Sequence, residues 1–253
     1  GYTGPKSSTR SRSGTGCCRP DCCRGSATVA RRPRLYEKRL ASENAFKLYV
    51  RQGFSGTERL LVDPDTFVTK KSAHMALTLW KPSHDGRLIV FGISPGGSED
   101  MVLHVVDVQS RAVLPDSIDR CRFPHLSWAL DNKSFVYNRL LKPAPNTRKS
   151  DILKNSRVHL HTLGRDAEQD PVVFGGGVPG AVFQPTDVPH IELSPGSQNA
   201  LGVIDHGVQR TKTIYKEPIA SLGGQNGWTK FLDVEDEVTE YAIHGDDLYV
   251  VSQ

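Results

Sequence analysis

The 253-residue sequence predicts an all-β protein, specifically a β-propeller of four-stranded antiparallel blades. Three observations predict this class. Short β-rich runs alternate with turn signals, no apolar pattern of helical period persists, and one series of strands recurs along the chain. The recurrence is the most informative of the three, because self-similarity at a fixed period is the signature of repeat architectures.

The predicted strands fall into sets. A hairpin is expected from residues 46–50 and 58–62, on either side of the turn at 53–56. Two sets of four strands then follow at residues 75–80, 88–91, 102–106 and 112–114, and at 126–129, 135–137, 158–161 and 172–174. A third set is expected at 190–193, 200–204, 213–215 and 229–232, and a fourth begins with 241–243 and 248–251.

The turn between the first two strands of each set repeats as well. These four turns, at residues 82–86, 130–133, 194–197 and 244–247, are built from Pro, Asp, Asn, Ser and Gly. Such residues preset φ, cap their own backbone or accept a positive φ, as a tight strand reversal requires. Asp85 and Asp131 are 46 residues apart, which is close to the period of a propeller blade. A β-sandwich would not require the repeated turn.

Charge divides the chain into two parts. Residues 1–34 hold eight basic side chains against Asp21 alone, whereas residues 35–253 hold 24 basic and 27 acidic side chains. We therefore expect a disordered, Arg/Cys-rich leader at residues 1–30 and a propeller at residues 31–253. The propeller part has no net positive charge, which argues against a nucleic-acid partner. Apolar runs are too short to span a membrane or to form a secretory signal, so a cytoplasmic location is expected.

The cysteines are concentrated in the leader. Cys17, Cys18, Cys22 and Cys23 lie within seven residues, and Cys121 is the remaining one. Structural zinc sites normally pair two ligand clusters separated by a longer loop, and this sequence has no second cluster. We therefore predict neither a metal site nor a cofactor.

Two motifs resemble sites of catalysis or cofactor binding without meeting their structural conditions. Residues 92–96 match G-x-S-x-G around Ser94, but the following Pro95 has no N–H to donate to an oxyanion and no helix is expected after it. Residues 175–180 match G-x-G-x-x-G, yet the prolines that follow exclude the helix that dinucleotide binding needs. We predict a hairpin residue and a loop between blades.

The histidines and tryptophans have structural interpretations. His159 and His161 alternate on one predicted strand and so share a face. A two-histidine metal site would need a third ligand that the sequence does not identify, so a solvated or packed face is favoured. Trp80, Trp128 and Trp228 are expected to pack between blades, because no basic groove accompanies them to bind nucleic-acid bases.

Residues 103–108, 114–116, 120–128, 234–238 and 245–249 together resemble the propeller of prolyl oligopeptidases. The resemblance is collinear over roughly residues 31–253. It implies a seven-bladed propeller that covers an α/β-hydrolase domain and admits only short peptides, which are cut after proline. About four of the seven blades are expected here. The family's catalytic Ser, Asp and His follow its propeller, so no catalytic residue is expected in this chain.

The resemblance nominates one site residue, Phe123, in a loop that the family turns toward its substrate cavity. We predict that Phe123 lines the peptide pocket of a complete enzyme, although packing alone would also explain this aromatic residue. The expected partners are short proline-containing peptides and an α/β-hydrolase domain. Two alternatives are a free-standing propeller that acts as a protein-interaction scaffold, and a gene fragment without function.

Overall fold

The computed structural model describes residues 33–68, 74–123, 125–224 and 227–253. The predicted leader at residues 1–30, with its four cysteines, lies outside these ranges. Apart from five short 3₁₀ segments, the described residues contain no helix: the segments are Pro64–Phe67, Lys149–Asp151, Ala167–Gln169, Ile219–Ser221 and Val234–Asp236. None of the helical segments described is long and apolar enough to cross a membrane.

Seventeen strands are described. The first seven are β1 (Pro33–Lys38), β2 (Lys47–Gln52), β3 (Arg59–Val62), β4 (Met75–Pro82), β5 (Leu88–Pro95), β6 (Met101–Asp107) and β7 (Val113–Cys121). The next four are β8 (Leu126–Trp128), β9 (Ser134–Arg139), β10 (Arg157–Thr162) and β11 (Val172–Phe174). The last six are β12 (Val188–Glu192), β13 (Asn199–Asp205), β14 (Lys212–Pro218), β15 (Thr229–Leu232), β16 (Val238–His244) and β17 (Asp247–Ser252).

The strands form five antiparallel sheets, and each sheet keeps the order of the chain. Sheet 1 contains β1–β3, sheet 2 contains β4–β7, sheet 3 contains β8–β11, sheet 4 contains β12–β15 and sheet 5 contains β16–β17. The predicted fold class, a propeller of four-stranded antiparallel blades, is confirmed by three complete sheets of this kind. Each predicted strand is found, although β7 ends seven residues later than the run of residues 112–114 suggested, and β1 was not predicted.

The repeated turn has a common backbone feature. Each of the four turns between the first two strands of sheets 2 to 5 contains one residue with a positive φ: Gly86 (71°), Asn132 (54°), Gly196 (86°) and Gly245 (58°). Glycine and asparagine occupy the left-handed region at the least steric penalty. The repeated Gly and Asn of the sequence therefore mark the position in each turn where the backbone takes a positive φ, although the turns differ in length.

Apolar clusters join the sheets in chain order. One cluster contains Val50 of sheet 1 and Phe91 of sheet 2, and the next contains Val105 of sheet 2 and Phe135 of sheet 3. The third and fourth clusters connect sheets 3 and 4 and sheets 4 and 5 in the same way. Burying such a side chain stabilises a fold by about 1.5–3 kcal/mol relative to its exposure, so stacking neighbouring sheets is the main stabilising contact.

Each of the three tryptophans lies at a boundary between sheets. The indole N–H of Trp80 in sheet 2 donates to Glu37 Oε1 in sheet 1 at 2.7 Å. Trp128 in sheet 3 donates to the Lys81 carbonyl in sheet 2 at 3.0 Å, and Trp228, just before β15, donates to Val173 O in sheet 3 at 2.8 Å. The predicted packing of these residues between blades is confirmed. Each ring adds a directed hydrogen bond to its buried area, which fixes how adjacent sheets dock.

Candidate functional site

The loop between β7 and β8 carries Phe123. On one side of it, the Arg122 guanidinium binds the carboxylates of Glu99 and Asp100, with 2.8 Å between Nη1 and Asp100 Oδ1. On the other side, the backbone N–H of His125 donates to Phe123 O at 2.8 Å. Phe123 itself is partly buried. The loop is thus held at both ends, and it places an aromatic side chain where the first strand of sheet 3 begins.

His125, in this same loop, meets a histidine from the neighbouring sheet. The imidazole rings of His125 and His190 are stacked with their centroids 4.0 Å apart and their planes 8° from parallel. His190 lies on β12, the first strand of sheet 4, and is buried. The two residues are 65 positions apart in sequence, so their contact depends on the packing of sheet 3 against sheet 4.

Asp205 completes this group from the end of β13. Its Oδ2 lies 3.4 Å from His190 Nδ1 and 3.9 Å from His125 Nε2. Its Oδ1 pairs with the Lys212 ammonium. Sheet 5 contributes Tyr241, whose hydroxyl lies 2.8 Å from His190 Nε2. We call His125, His190, Asp205, Lys212 and Tyr241 the histidine cluster; it joins sheets 3, 4 and 5.

Burial and neighbouring charges set the protonation of the histidine cluster. Burial, together with the adjacent His190, lowers the pKa of His125 to about 4, so this imidazole is neutral at physiological pH. Burial alone would raise the pKa of Asp205, but His190 and Lys212 outweigh it and hold that pKa below its usual value. Burial raises the pKa of Tyr241, so its phenol stays protonated. At neutral pH the cluster therefore offers the lone pair of the His125 imidazole and the Asp205 carboxylate.

Ser94, the serine of the G-x-S-x-G match, is not arranged as a nucleophile. It is the penultimate residue of β5, is 0% exposed, and its Oγ has no hydrogen-bond partner. The chain continues through a turn into β6 rather than into a helix. Ser94 therefore lacks the imidazole that would remove its proton and the access that a substrate would need.

A hydroxyl, an imidazole and a carboxylate do form a chain in sheet 4. Asp187 Oδ1 lies 3.0 Å from His206 Nδ1, and His206 Nε2 lies 2.8 Å from Thr213 Oγ1. Thr213 is only 3% exposed, and its hydroxyl also lies 3.3 Å from Asp233 Oδ1. These residues adjoin all four strands of the sheet, and the hydroxyl is buried. We therefore conclude that this series of hydrogen bonds holds the strand ends of sheet 4 together.

His161 is also structural. Its Nδ1 lies 2.9 Å from Asp170 Oδ2 and its Nε2 lies 3.0 Å from Asp116 Oδ1, so β10 of sheet 3 is tied to β7 of sheet 2. His159 Nδ1 lies 3.2 Å from the Asp170 carbonyl. The packed strand face that the sequence predicts for these histidines is what the structure shows. The glycine-rich residues 175–180 form a loop between β11 and β12, as expected, with no helix described there.

Sequence reasoning predicted Phe123 and missed the histidine cluster beside it. His125, His190 and Asp205 come from three separate segments, and no spacing of metal-ligand or catalytic type links them in the sequence. The signal that could have found them is positional. His125 and His190 both lie at the beginning of the first strand of a repeated set, and equivalent positions in adjacent blades of a propeller are close together.

Comparison with known proteins identifies the family. Residues 19–184 match the family described as "Prolyl oligopeptidase, N-terminal beta-propeller domain". The chain belongs to this family. The resemblance noted in the sequence is therefore confirmed, and the four-stranded sheets belong to the propeller domain of the prolyl oligopeptidases.

Individual relatives agree with this assignment. The prolyl endopeptidase of Elizabethkingia meningoseptica is 26% identical over 126 residues, which are 50% of this chain and 17% of that protein. A prolyl endopeptidase whose structure was solved in a study of inter-domain dynamics is 26% identical, with a TM-score of 0.71 over 86% of this chain. Apo prolyl oligopeptidase B from Galerina marginata, at 19% identity and a TM-score of 0.66, shares the fold.

The chain spans less than a third of these relatives. It covers 30% of the solved prolyl endopeptidase and 32% of the Galerina marginata enzyme. The similarity therefore establishes the family and the fold of this chain, and it does not extend to the rest of these enzymes.

Proposed function

We propose that this chain is the substrate-gating propeller part of a prolyl oligopeptidase-type serine endopeptidase that cleaves short peptides after proline. The observation that carries the proposal is the family match over residues 19–184, together with sheets that stack in the order of the chain. The endopeptidase relatives supply the activity class, because they act on prolyl peptides by name.

The physical role of such a domain is exclusion. A closed arrangement of stacked sheets beside an active site keeps folded proteins and bulk water away from the reacting groups, and it admits only chains thin enough to pass. The loop with Phe123 leads into one end of the first strand of sheet 3, and the histidine cluster beside it includes His190 and Tyr241 from the first strands of sheets 4 and 5. We propose that this end faces the peptide, with Phe123 contacting it.

We propose further that the chain alone hydrolyses no peptide bond and that an α/β-hydrolase domain is its partner. Among the described residues, the serine of the elbow-like motif is buried without an imidazole partner, and the Asp187–His206–Thr213 series of hydrogen bonds ends in a buried threonine hydroxyl. Neither group can attack a substrate carbonyl. The nucleophile would therefore come from the partner domain.

The proposal is tested by joining the chain to the α/β-hydrolase domain of a prolyl oligopeptidase and measuring cleavage of a Gly-Pro amide. We expect turnover by the fusion and none by the chain alone. In the fusion, Phe123→Ala should raise KM with little change in kcat, because it removes uniform binding rather than transition-state stabilisation.

Phe231→Ala is the matched control, because Phe231 is an exposed phenylalanine on β15 rather than in the β7–β8 loop. An unchanged KM for Phe123→Ala would remove Phe123 from the peptide site. Turnover by the purified chain alone would contradict the assigned role of the propeller.

A further inference from the structure

The histidine cluster contains the donor set of a transition-metal site. One ligand atom each from His125, His190 and Asp205 lie within 4.8 Å of one another. Two imidazole nitrogens and one carboxylate oxygen suit zinc and its neighbours in the first transition row, whereas hard ions such as Ca²⁺ and Mg²⁺ prefer oxygen ligands alone.

The distances are close to those that a metal requires. A tetrahedral ion with bonds of about 2.0–2.2 Å holds its ligand atoms roughly 3.3–3.6 Å apart. The pair His190 Nδ1 and Asp205 Oδ2, at 3.4 Å, already meets this condition. The His125 Nε2 to Asp205 Oδ2 distance of 3.9 Å is longer by a few tenths of an ångström. Only His125 has to move.

His190 provides a second, independent observation. Its Nδ1 is buried and faces Asp205 Oδ2 at 3.4 Å without forming a well-aligned hydrogen bond, which is uncommon for a polar atom in a native fold. Its Nε2 lies 2.8 Å from the Tyr241 hydroxyl. When Nε2–H donates to that oxygen, the Nδ1 lone pair is left free and points into the cluster. A hydrogen bond from the second ring nitrogen is how metal-bound histidines are normally oriented.

Asp205 is oriented in a similar manner. Lys212 binds its Oδ1, while Oδ2 is left facing the two histidines. The carboxylate therefore offers one oxygen to a ligand and uses the other for a fixed partner on the neighbouring strand. Outer contacts of this kind hold first ligands in position and tune their basicity.

The stacked arrangement of the rings sets one condition. A metal bound by imidazole lies near the ring plane, and two parallel planes cannot both contain it, so one ring must rotate. The His125 side chain is 35% exposed, and its ring nitrogens make no short hydrogen bond in the described structure, the approach to Asp205 at 3.9 Å being its nearest ionic contact. His125 is thus the ligand that can turn about its side-chain torsions to complete the site.

We propose that His125 Nε2, His190 Nδ1 and Asp205 Oδ2 bind one divalent transition-metal ion, with Zn²⁺ as the best-suited ion and a fourth position open. This site would join sheets 3 and 4, with Tyr241 of sheet 5 as the outer partner of His190. The proposal is independent of the proposed peptidase role, because it concerns binding of an ion by this chain alone.

The test uses the full chain with Cys17, Cys18, Cys22 and Cys23 replaced by serine, so that the leader's thiols cannot bind the ion. After treatment with a chelator, Zn²⁺ binding is measured by calorimetry and Co²⁺ binding by visible absorption. We expect one ion per chain and a Co²⁺ spectrum without the intense near-ultraviolet thiolate band.

Variants identify the ligands. His125→Ala and His190→Ala should each abolish the tight site, and Tyr241→Phe should weaken Zn²⁺ binding about tenfold, as loss of an outer partner does. His159→Ala is the control, because His159 is a partly buried histidine of sheet 3 that bonds the Asp170 carbonyl and lies outside the cluster. It should bind the ion with unchanged affinity.

Circular dichroism would show whether His190→Ala folds. If it does not, His125→Ala still tests the site, because His125 is partly exposed and its replacement should leave the fold intact. Absence of binding in the cysteine-free chain would overturn the proposal. So would a tight site that survives His125→Ala, or one that is lost equally in His159→Ala.

Discussion

Sheet 3 packs against sheet 2 on one side and against sheet 4 on the other, and the outer strands make different kinds of contact at these two boundaries. Toward sheet 2, buried charges join the outer strands: the His161 imidazole, 1% exposed, lies between the carboxylates of Asp116 and Asp170. Toward sheet 4, aromatic rings join them: Phe174 of β11 packs against Trp228 with 4.5 Å between ring centroids, at an angle of 49°. We call these the charged boundary and the aromatic boundary.

The difference teaches that blade docking can be specified in two ways. The charged boundary satisfies every member of its group: Tyr137 donates to Asp170 at 2.9 Å, and the Gly164 N–H donates to Asp116 at 2.6 Å. Its stability depends on protonation and on all partners being present. At the aromatic boundary the outer strands share the hydrogen bond from the Trp228 indole N–H to Val173 O, and their docking depends mainly on volume and shape.

The largest expected effect is at the aromatic boundary. Trp228→Ala should lower the free energy of unfolding by about 4–5 kcal/mol, the upper part of the range for removing a buried tryptophan, because the Val173 carbonyl also loses its donor. The measurement is the urea midpoint at constant slope. The control is Val208→Ala, at a fully exposed apolar residue. A loss no greater than that of the control would mean that the sheets do not depend on this ring.

A smaller loss is expected at the charged boundary. His161→Leu removes the cation between two buried carboxylates and should lower the free energy of unfolding by about 3 kcal/mol, the lower end for a broken buried pair. The lower end applies because Tyr137 and the Gly164 N–H still bind the two carboxylates.

Combining His161→Leu with Asp116→Asn and Asp170→Asn tests the cause. This triple variant carries no buried charge at the boundary, so it should recover most of the lost stability if the unpaired carboxylates are responsible. An equal or larger loss in the triple variant would show that packing of the imidazole, and not its charge, holds the charged boundary.

Much of the fold was predictable because it is local. Each strand from β2 to β17 follows from short β-rich runs and from turns whose Gly or Asn accepts a positive φ, as at Gly86 and Asn132. β1 was not predictable in this way. Its residues Pro33–Lys38 are charged and largely exposed, and they form a strand because they pair with β2. The full length of β7 was not predictable either, because Asp116 and Asp119 interrupt the apolar alternation that indicates a strand.

The boundaries and the histidine cluster were less predictable for a physical reason. Asp116 and His161 are 45 residues apart, and His125 and His190 are 65 apart. Whether such residues meet is decided by how two sheets stack, which no local pattern reports. The loop position of Phe123 was correctly predicted, and its contact with a peptide stays a prediction.

Overpacking the aromatic boundary should have an intermediate effect. A Cβ added at Gly202 of β13 would lie 2.8 Å from a ring carbon of Phe174 and 2.8 Å from one of Trp228. Gly202→Ala should therefore lower the free energy of unfolding by about 2 kcal/mol, as inserted core carbons do. Gly176→Ala is the matched control, because it meets nothing within 4 Å and needs no positive φ. Equal stability of the two variants would contradict tight packing at this boundary.

The smallest effect is a dependence on pH that only the charged boundary should show. Burial opposes protonation of His161, but its bonds to Asp170 and Asp116 outweigh burial and raise its pKa above the usual value. A raised folded-state pKa gives a stabilisation that is complete below the unfolded value of about 6.5 and is lost as pH rises through the folded value. The pKa values of His104, His125 and His159 are lowered, so these residues are close to neutral in both states from about one pH unit above that value and contribute little slope there.

Between about pH 7.5 and 8.5, stability should therefore fall with rising pH by less than about 1.4 kcal/mol per pH unit, the limit for one proton. Urea midpoints across this range measure the slope. Trp228→Ala should lower every midpoint and keep the slope, since an indole ring takes up no proton in this range, whereas His161→Leu should remove the contribution of the His161 proton. If His161→Leu kept the slope, the proton would belong to another group, and the contrast between the two boundaries would rest on packing alone.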